Sequence, residues 1–195
     1  LTISHQSGIV HNMNLFRLDD DPPEAAKLHA DHHVRKMPTE ACQLLATAHI
    51  KPQADGYDEM TPQQRLAADL LPYNHTHVNH PCAIWVRSGL DNYMWGLALA
   101  AALIDEFRYR FGRRHATVDV VAWLSRNVPA RLPPGSTTPP QAMPEELRGD
   151  DAVAAYRRYY AAEKQGYWVG ERWVVSKWTK RDVPWFMLDG EATML

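Results

Sequence analysis

The stretch Asp31-His32-His33-Val34-Arg35-Lys36-Met37-Pro38-Thr39-Glu40 packs two histidines, two basic residues and, beyond a proline, a carboxylate into ten positions. Such polar density between two apolar-patterned segments points to a site rather than plain surface. A carboxylate held among cations stays ionised, so Glu40 is placed to stabilise a developing cation or to take a proton. The plainer role for an acid near a helix start is to favour the helix dipole. A second polar knot, Asn74-His75-Thr76-His77-Val78-Asn79-His80-Pro81-Cys82, follows about forty residues on. The two knots are expected to form one site. His29 and His33, four apart, share a helix face at metal-ligand spacing, with His77, His80 or the Cys82 thiol as third ligand. No H-E-x-x-H accompanies them. His33 is therefore expected as a hydrogen-bonding residue, and no metal is assigned.

The elements that must position these knots are mostly helical. Leu15 to Leu18 is a short extended segment. Asp20-Asp21-Pro22-Pro23-Glu24 starts a helix running to about Lys36, with an aspartate cap, proline in the first turn and acid near the positive dipole end. Pro38 interrupts or restarts it, and Ala41, Leu44, Leu45 and Ala48 give the next helix one buried face. A loop over 51–60 and a helix capped by Thr61-Pro62 precede the second knot, itself a loop. The longest helix runs from Leu90 to Phe111, with Asp91 as cap and Gly112 as stop. A short helix spans Thr117 to Ser125. Residues 129–144 hold six prolines without periodicity, an extended segment wrapping the surface. Helix returns from Glu145 to Lys164, with Tyr156, Tyr159 and Tyr160 on one face. The fold class is mainly α: a compact single helical domain over 13–195, with a proline-rich segment and a basic aromatic tail. Residues 1–12 form a leader, and Met13 is as good a beginning as Leu1.

Bulk properties fit this picture. The 195 residues are 45% hydrophobic with a net charge of −2 and seven tryptophans. Only Cys42 and Cys82 occur, so no disulfide framework follows and a reducing cytoplasm is the default. No apolar stretch spans a bilayer. Between Tyr156 and Arg181, seven Lys or Arg face two acids, with aromatic rings interleaved. That composition suits a surface that follows phosphates and stacks on bases, with Lys177, Lys180 and Arg181 as contacts. Trp173 and Trp178 are expected in the core. No phosphate-binding loop, dinucleotide fingerprint or G-x-S-x-G occurs, which removes the main support for those enzyme classes.

The order Asp31-x-His33-(six residues)-Glu40, followed by Asn79-His80-Pro81, resembles the phage pyrimidine-dimer DNA glycosylases, often called endonuclease V. The segment 143–150 is similar to one late in that family's chain, and the whole resembles uncharacterised tailed-phage proteins. The resemblance implies a mostly helical enzyme that binds duplex DNA, extrudes a damaged or modified pyrimidine base and cleaves its glycosidic bond. It also implies abasic-site lyase activity, in the cytoplasm of a bacterial or phage-infected cell, without a cofactor. Carried over, Glu40 assists the chemistry, and His33 and His80 shape the site. Arg35, Lys36, Asn79 and Arg87 join the tail cations as DNA contacts. The family's nucleophile is an N-terminal α-amine that forms an imine with the sugar. Asn14 behind Met13 is bulky, a type that protects an initiator methionine, so Lys36 is the alternative amine. Two other functions stay open: a non-enzymatic nucleic-acid-binding or virion-associated protein, and a metal-dependent hydrolase using His29, His33 and His77 or His80.

Overall fold

The computed structural model describes residues 13–50, 73 and 77–188. The expected leader, the loop and helix over 51–71 and Asn74-His75-Thr76 lie outside them. The class is mainly α. In chain order come α1 (Pro22–Leu28), α2 (Asp31–Ile50), α3 (Pro81–Arg87), α4 (Leu90–Phe111), α5 (Val118–Arg126), a 3-10 turn (Glu145–Leu147), α6 (Ala152–Glu163), β1 (Gly166–Val169), β2 (Arg172–Val175) and α7 (Trp185–Leu188). None of the described helices is long and apolar enough to cross a membrane.

The long helices α2 and α4 pack together, and α1, α3 and α5 pack against α4. Leu44, Leu45, Val34 and Met37 of α2 meet Leu99, Leu103 and Tyr93 of α4 in one buried cluster. Gly96 lies at this contact, where a Cβ would meet Leu45, Val86 and Leu15 at ordinary packing distance. Gly112 ends α4 at φ +65, the left-handed cap that glycine adopts without cost.

Several boundaries differ from the sequence expectation. The chain breaks at His29-Ala30 rather than at Pro38. His29 turns to extended backbone, and its Nδ1 lies 2.7 Å from the Ala25 carbonyl oxygen. The Ala30 N–H donates to the Tyr160 hydroxyl. These contacts start α2 afresh, and it runs through buried Pro38. His29 therefore caps α1 in extended conformation, and His33 lies in α2. The second knot gives way to α3, whose cap is His80: its Nδ1 accepts from the Cys82 N–H. Pro81 sits at the first position, where its missing N–H costs nothing. Gly89, not Asp91, caps α4. The expected helix from Glu145 splits, and Asp151 caps α6 by accepting from the Val153 N–H. The tail folds back as an antiparallel hairpin, the one sheet among the described residues.

The proline-rich segment does more than wrap the surface. Pro133 and Gly135 carbonyls accept from the Leu90 and Asp91 N–H groups at the start of α4. Thr137 is clasped by Asn92 and by the Trp85 indole. Further on, Ala142 and Met143 enter the core. Gly89 makes the first clasp possible, because a Cβ there would lie 2.5 Å from the Gly135 carbonyl oxygen. Its φ of −167° suits any residue, so the conflict is one of contact alone. Gly89→Ala is expected to lift the strap from α4 and destabilise the fold by about 1–3 kcal/mol. Denaturant titration would show this, together with faster proteolysis within 129–137.

Candidate active site

Helix α2 carries the first knot. His33, Lys36 and Glu40 sit at successive turns and look the same way. Glu40 is buried although charged, at 7% exposure. Its two oxygens are each matched to a nitrogen: Oε1 lies 2.7 Å from Lys36 Nζ, and Oε2 accepts at 3.2 Å from the backbone N–H of Asn14. Lys36 is half exposed and so stands between Glu40 and solvent.

Asn14 organises the other side. It is buried, and its side-chain amide donates to the Ala142 carbonyl at 2.9 Å. Its Oδ1 accepts from the Leu15 N–H at 2.8 Å, from the Tyr156 hydroxyl at 3.0 Å and, more loosely, from the Cys82 thiol at 3.8 Å. One asparagine thus ties together the extended N-terminal segment, the end of the proline strap, α3 and α6. Through Cys82, its last residue, the second knot meets Asn14, while His80 itself caps α3. Burial pushes the Cys82 thiol up to about 12 and the Tyr156 phenol well above its usual range. Both remain protonated donors, and Cys82 is not a nucleophile at neutral pH.

His33 is enclosed between Phe16, Tyr160 and His32. Its Nδ1 is hydrogen-bonded to the Tyr160 hydroxyl, which in turn accepts from the Ala30 N–H. Which of the two groups donates follows from the tautomer of the His33 ring, since the phenol oxygen can accept a second hydrogen bond beside that from Ala30. Burial, reinforced by His32 and His29 nearby, drives His33 well below its ordinary value. Burial likewise brings His29 and His32 down to about 4. His29 Nε2 and His32 Nδ1 are buried without a partner.

These groups are neutral in the fold and basic in the unfolded chain, so their stabilising effect is present above about pH 6.5 and is lost as pH falls towards 4. For His29 alone the loss approaches about 3 kcal/mol. The melting temperature is expected to fall by roughly 5 °C or more between pH 7 and 4.5, and His29→Leu should flatten that fall. An unchanged melting point across the interval would refute the assignment.

The first residue of the motif, Asp31, has a structural task. Its Oδ1 accepts from Arg110 Nη1 and the Thr179 N–H, and its Oδ2 from the Thr179 hydroxyl. Arg110 is fully buried and also donates to the His29 and Lys27 carbonyls and to Glu106. Arg181 closes the network with two hydrogen bonds to Glu106. Burial pushes the Glu106 carboxyl up, but the hydrogen bonds from Arg181 and Arg110 outweigh it and hold it below its ordinary value.

The proposed DNA contacts separate into two sets. Arg35 is exposed over the Phe111 ring, Asn79 is exposed in the turn before α3, and Lys177 is exposed without a side-chain partner among the described residues. The others are engaged within the protein. Arg87 is buried and donates to the Val78 carbonyl, Lys180 donates to the Tyr109 carbonyl, and Arg181 belongs to the Glu106 network. Trp178 lies in the core as expected, but Trp173 is exposed. Among the described residues, no group of three or more His, Cys, Asp or Glu is arranged to hold a metal ion. A cavity of about 540 Å³ lies elsewhere, between Arg157 and Arg158 of α6 and Trp185 and Phe186 of α7, and contains none of the knot residues.

Asn14 is the residue whose weight sequence reasoning missed, as part of the site rather than only as a neighbour of Met13. Its partner Tyr156 was visible only as one of three helically spaced tyrosines. The chain matches no protein-family model, no curated protein and no solved structure.

Proposed function

We propose that this protein is a DNA glycosylase acting on a damaged or modified pyrimidine, with abasic-site lyase activity, and that Glu40 serves an amine nucleophile. The observation that carries the proposal is the contact between the buried Glu40 carboxylate and the backbone nitrogen of Asn14, at 3.2 Å. In a chain whose first residue is Asn14, that nitrogen is a free α-amine; because Asn14 is a type that protects an initiator methionine, such a start requires a cut other than ordinary methionine removal. Such an amine titrates near pH 8, so a useful fraction is unprotonated at neutrality. Side-chain contacts on four sides fix Asn14, and with it the direction of the nitrogen. Attack on C1′ of the sugar releases the base and forms an imine; loss of the C2′ proton then expels the 3′ phosphate by β-elimination. Glu40 is placed to accept protons from the amine and to stabilise the cationic sugar. Lys36, on the other oxygen of the same carboxylate, is the second amine within reach.

Borohydride trapping on a duplex containing an abasic site tests the chemistry. A chain beginning at Asn14, verified by intact mass, is expected to give a covalent adduct, and digestion of that adduct identifies the nitrogen. An adduct on Asn14 supports the α-amine, and one on Lys36 supports the alternative. No adduct at any pH between 6 and 9 would overturn the lyase chemistry.

A further inference from the structure

The hairpin is held at its foot and free at its tip. Ser176 donates through its N–H to the Gln165 carbonyl and through its hydroxyl to the Lys164 carbonyl. Tyr167 stacks on His32 of α2, with ring centroids 4.5 Å apart. The Asp31 N–H donates to the Lys177 carbonyl just beyond β2. Gly170, at φ +60, makes the two-residue turn. Strand alternation then sends Tyr167 towards α2 and sends Trp168, Trp173 and Val175 to the opposite face.

That outer face is apolar and exposed among the described residues. Trp168 is 63% exposed, Trp173 46% and Val175 64%. The two tryptophans sit directly opposite each other, with centroids 5.3 Å apart and planes tilted by 65°. Gly166 is part of the design: a Cβ there would lie 2.5 Å from the Trp173 ring, so only glycine lets that ring lie down over the strand. The hairpin and the chain on either side of it carry a surplus of cations, with Glu171 in the turn and Arg172 on the Tyr167 face. Residues 164–181 contain five cations and one acid, and Arg172 and Lys177 have no side-chain partner among the described residues. A protein partner's apolar patch gains nothing from that surplus, whereas a phosphate backbone does. The position is also relevant. His32, against which the hairpin stands, is eight residues before Glu40 on α2, roughly 12 Å along the helix axis. That is the rise of about three to four stacked bases.

From this geometry we infer that the Trp168–Trp173 hairpin is a stacking wedge that takes unstacked bases of DNA beside the base presented to Glu40. The inference rests on the DNA reading above. The rings supply the stacking surface that a disrupted base stack loses, while Lys177 beyond β2 and Arg172 on the other face of the hairpin are the unpaired cations available to the flanking phosphates.

The test compares the wild type with Trp168→Ala/Trp173→Ala in fluorescence anisotropy. Three DNAs of one sequence are used: intact duplex, duplex with a single abasic site, and single strand. The wild type should favour the abasic duplex and the single strand over intact duplex, and both should quench its tryptophan emission. The double variant should bind those two at least tenfold more weakly, with an unchanged dependence on salt. Trp168→Phe/Trp173→Phe should restore most of the affinity. Equal affinity of wild type and double variant, or no preference by the wild type for unstacked DNA, overturns the wedge. A double variant that loses self-association instead of DNA affinity also overturns it. A wild type that binds no DNA removes both the wedge and the glycosylase. A double variant that still trims bases and binds unstacked DNA normally removes the wedge alone.

Discussion

Glu40→Gln is expected to lower base release from a lesion-containing duplex at least about a hundredfold, while duplex affinity stays within about twofold. The substitution keeps the shape and one acceptor oxygen. It removes the charge and turns an amide N–H₂ towards one of the two nitrogens that Glu40 now serves. An amide cannot take a proton from an amine, and it offers a nascent sugar cation only a weak dipole. The protein should still fold. Lys36 is half exposed and remains hydrated when its partner is neutral, so the lost ion pair costs about 1 kcal/mol or less. Two measurements decide it: single-turnover base release, and anisotropy with an uncleavable duplex. Retained base release would remove Glu40 from the chemistry. Loss of DNA binding together with activity would make it a structural residue of the interface.

The second large effect is on stability. Arg110→Ala is expected to destabilise the fold by about 3–5 kcal/mol, because it strips a buried carboxylate of one cation and leaves two main-chain carbonyls without their donor. Those carbonyls, of Lys27 and His29, lie at the break between α1 and α2. Losing their donor loosens the junction that starts the site-bearing helix. Asp31 also loses its buried partner but keeps Thr179, so the hairpin's exit should remain attached while its anchor weakens. The expected result is a lower denaturant midpoint with an unchanged slope. Glu106→Gln should be milder, since the amide still accepts one of the guanidinium hydrogens. If Arg110→Ala melts like the wild type, the network is not a structural clamp.

The motif divides its labour. Asp31, His33 and Glu40 belong to one sequence pattern, yet Asp31 clamps the tail to α2, His33 is a neutral residue bonded to Tyr160, and Glu40 meets the Lys36 amine and the Asn14 nitrogen. Spacing along a helix shows which residues share a face. It does not show what arrives opposite that face, and the chain that arrives opposite Glu40 is 26 residues away.

Much of the architecture follows from the sequence alone, because local physics decides it. Helical periodicity with a glycine stop located α4 almost to the residue, apolar spacing gave α2 its buried face, and six prolines without periodicity marked a strap. The places where that reasoning failed are those settled by distant contacts. The chain breaks at His29-Ala30, and not at Pro38, because Tyr160, 130 residues away, receives the Ala30 N–H. The tail forms a hairpin because β1 and β2 pair around Gly170, which leaves Trp173 exposed and Trp178 buried, though both carry the same side chain. Arg87, Lys180 and Arg181 read as free cations in the sequence, and each is engaged by a carbonyl or carboxylate in the fold. The sequence by itself determined that the chain is mainly helical and that polar chemistry gathers at two knots. Tertiary structure alone decided that Asn14 joins them. Hydrogen-bond partners of a buried polar group come from wherever the chain returns, and that return depends on packing of the whole core.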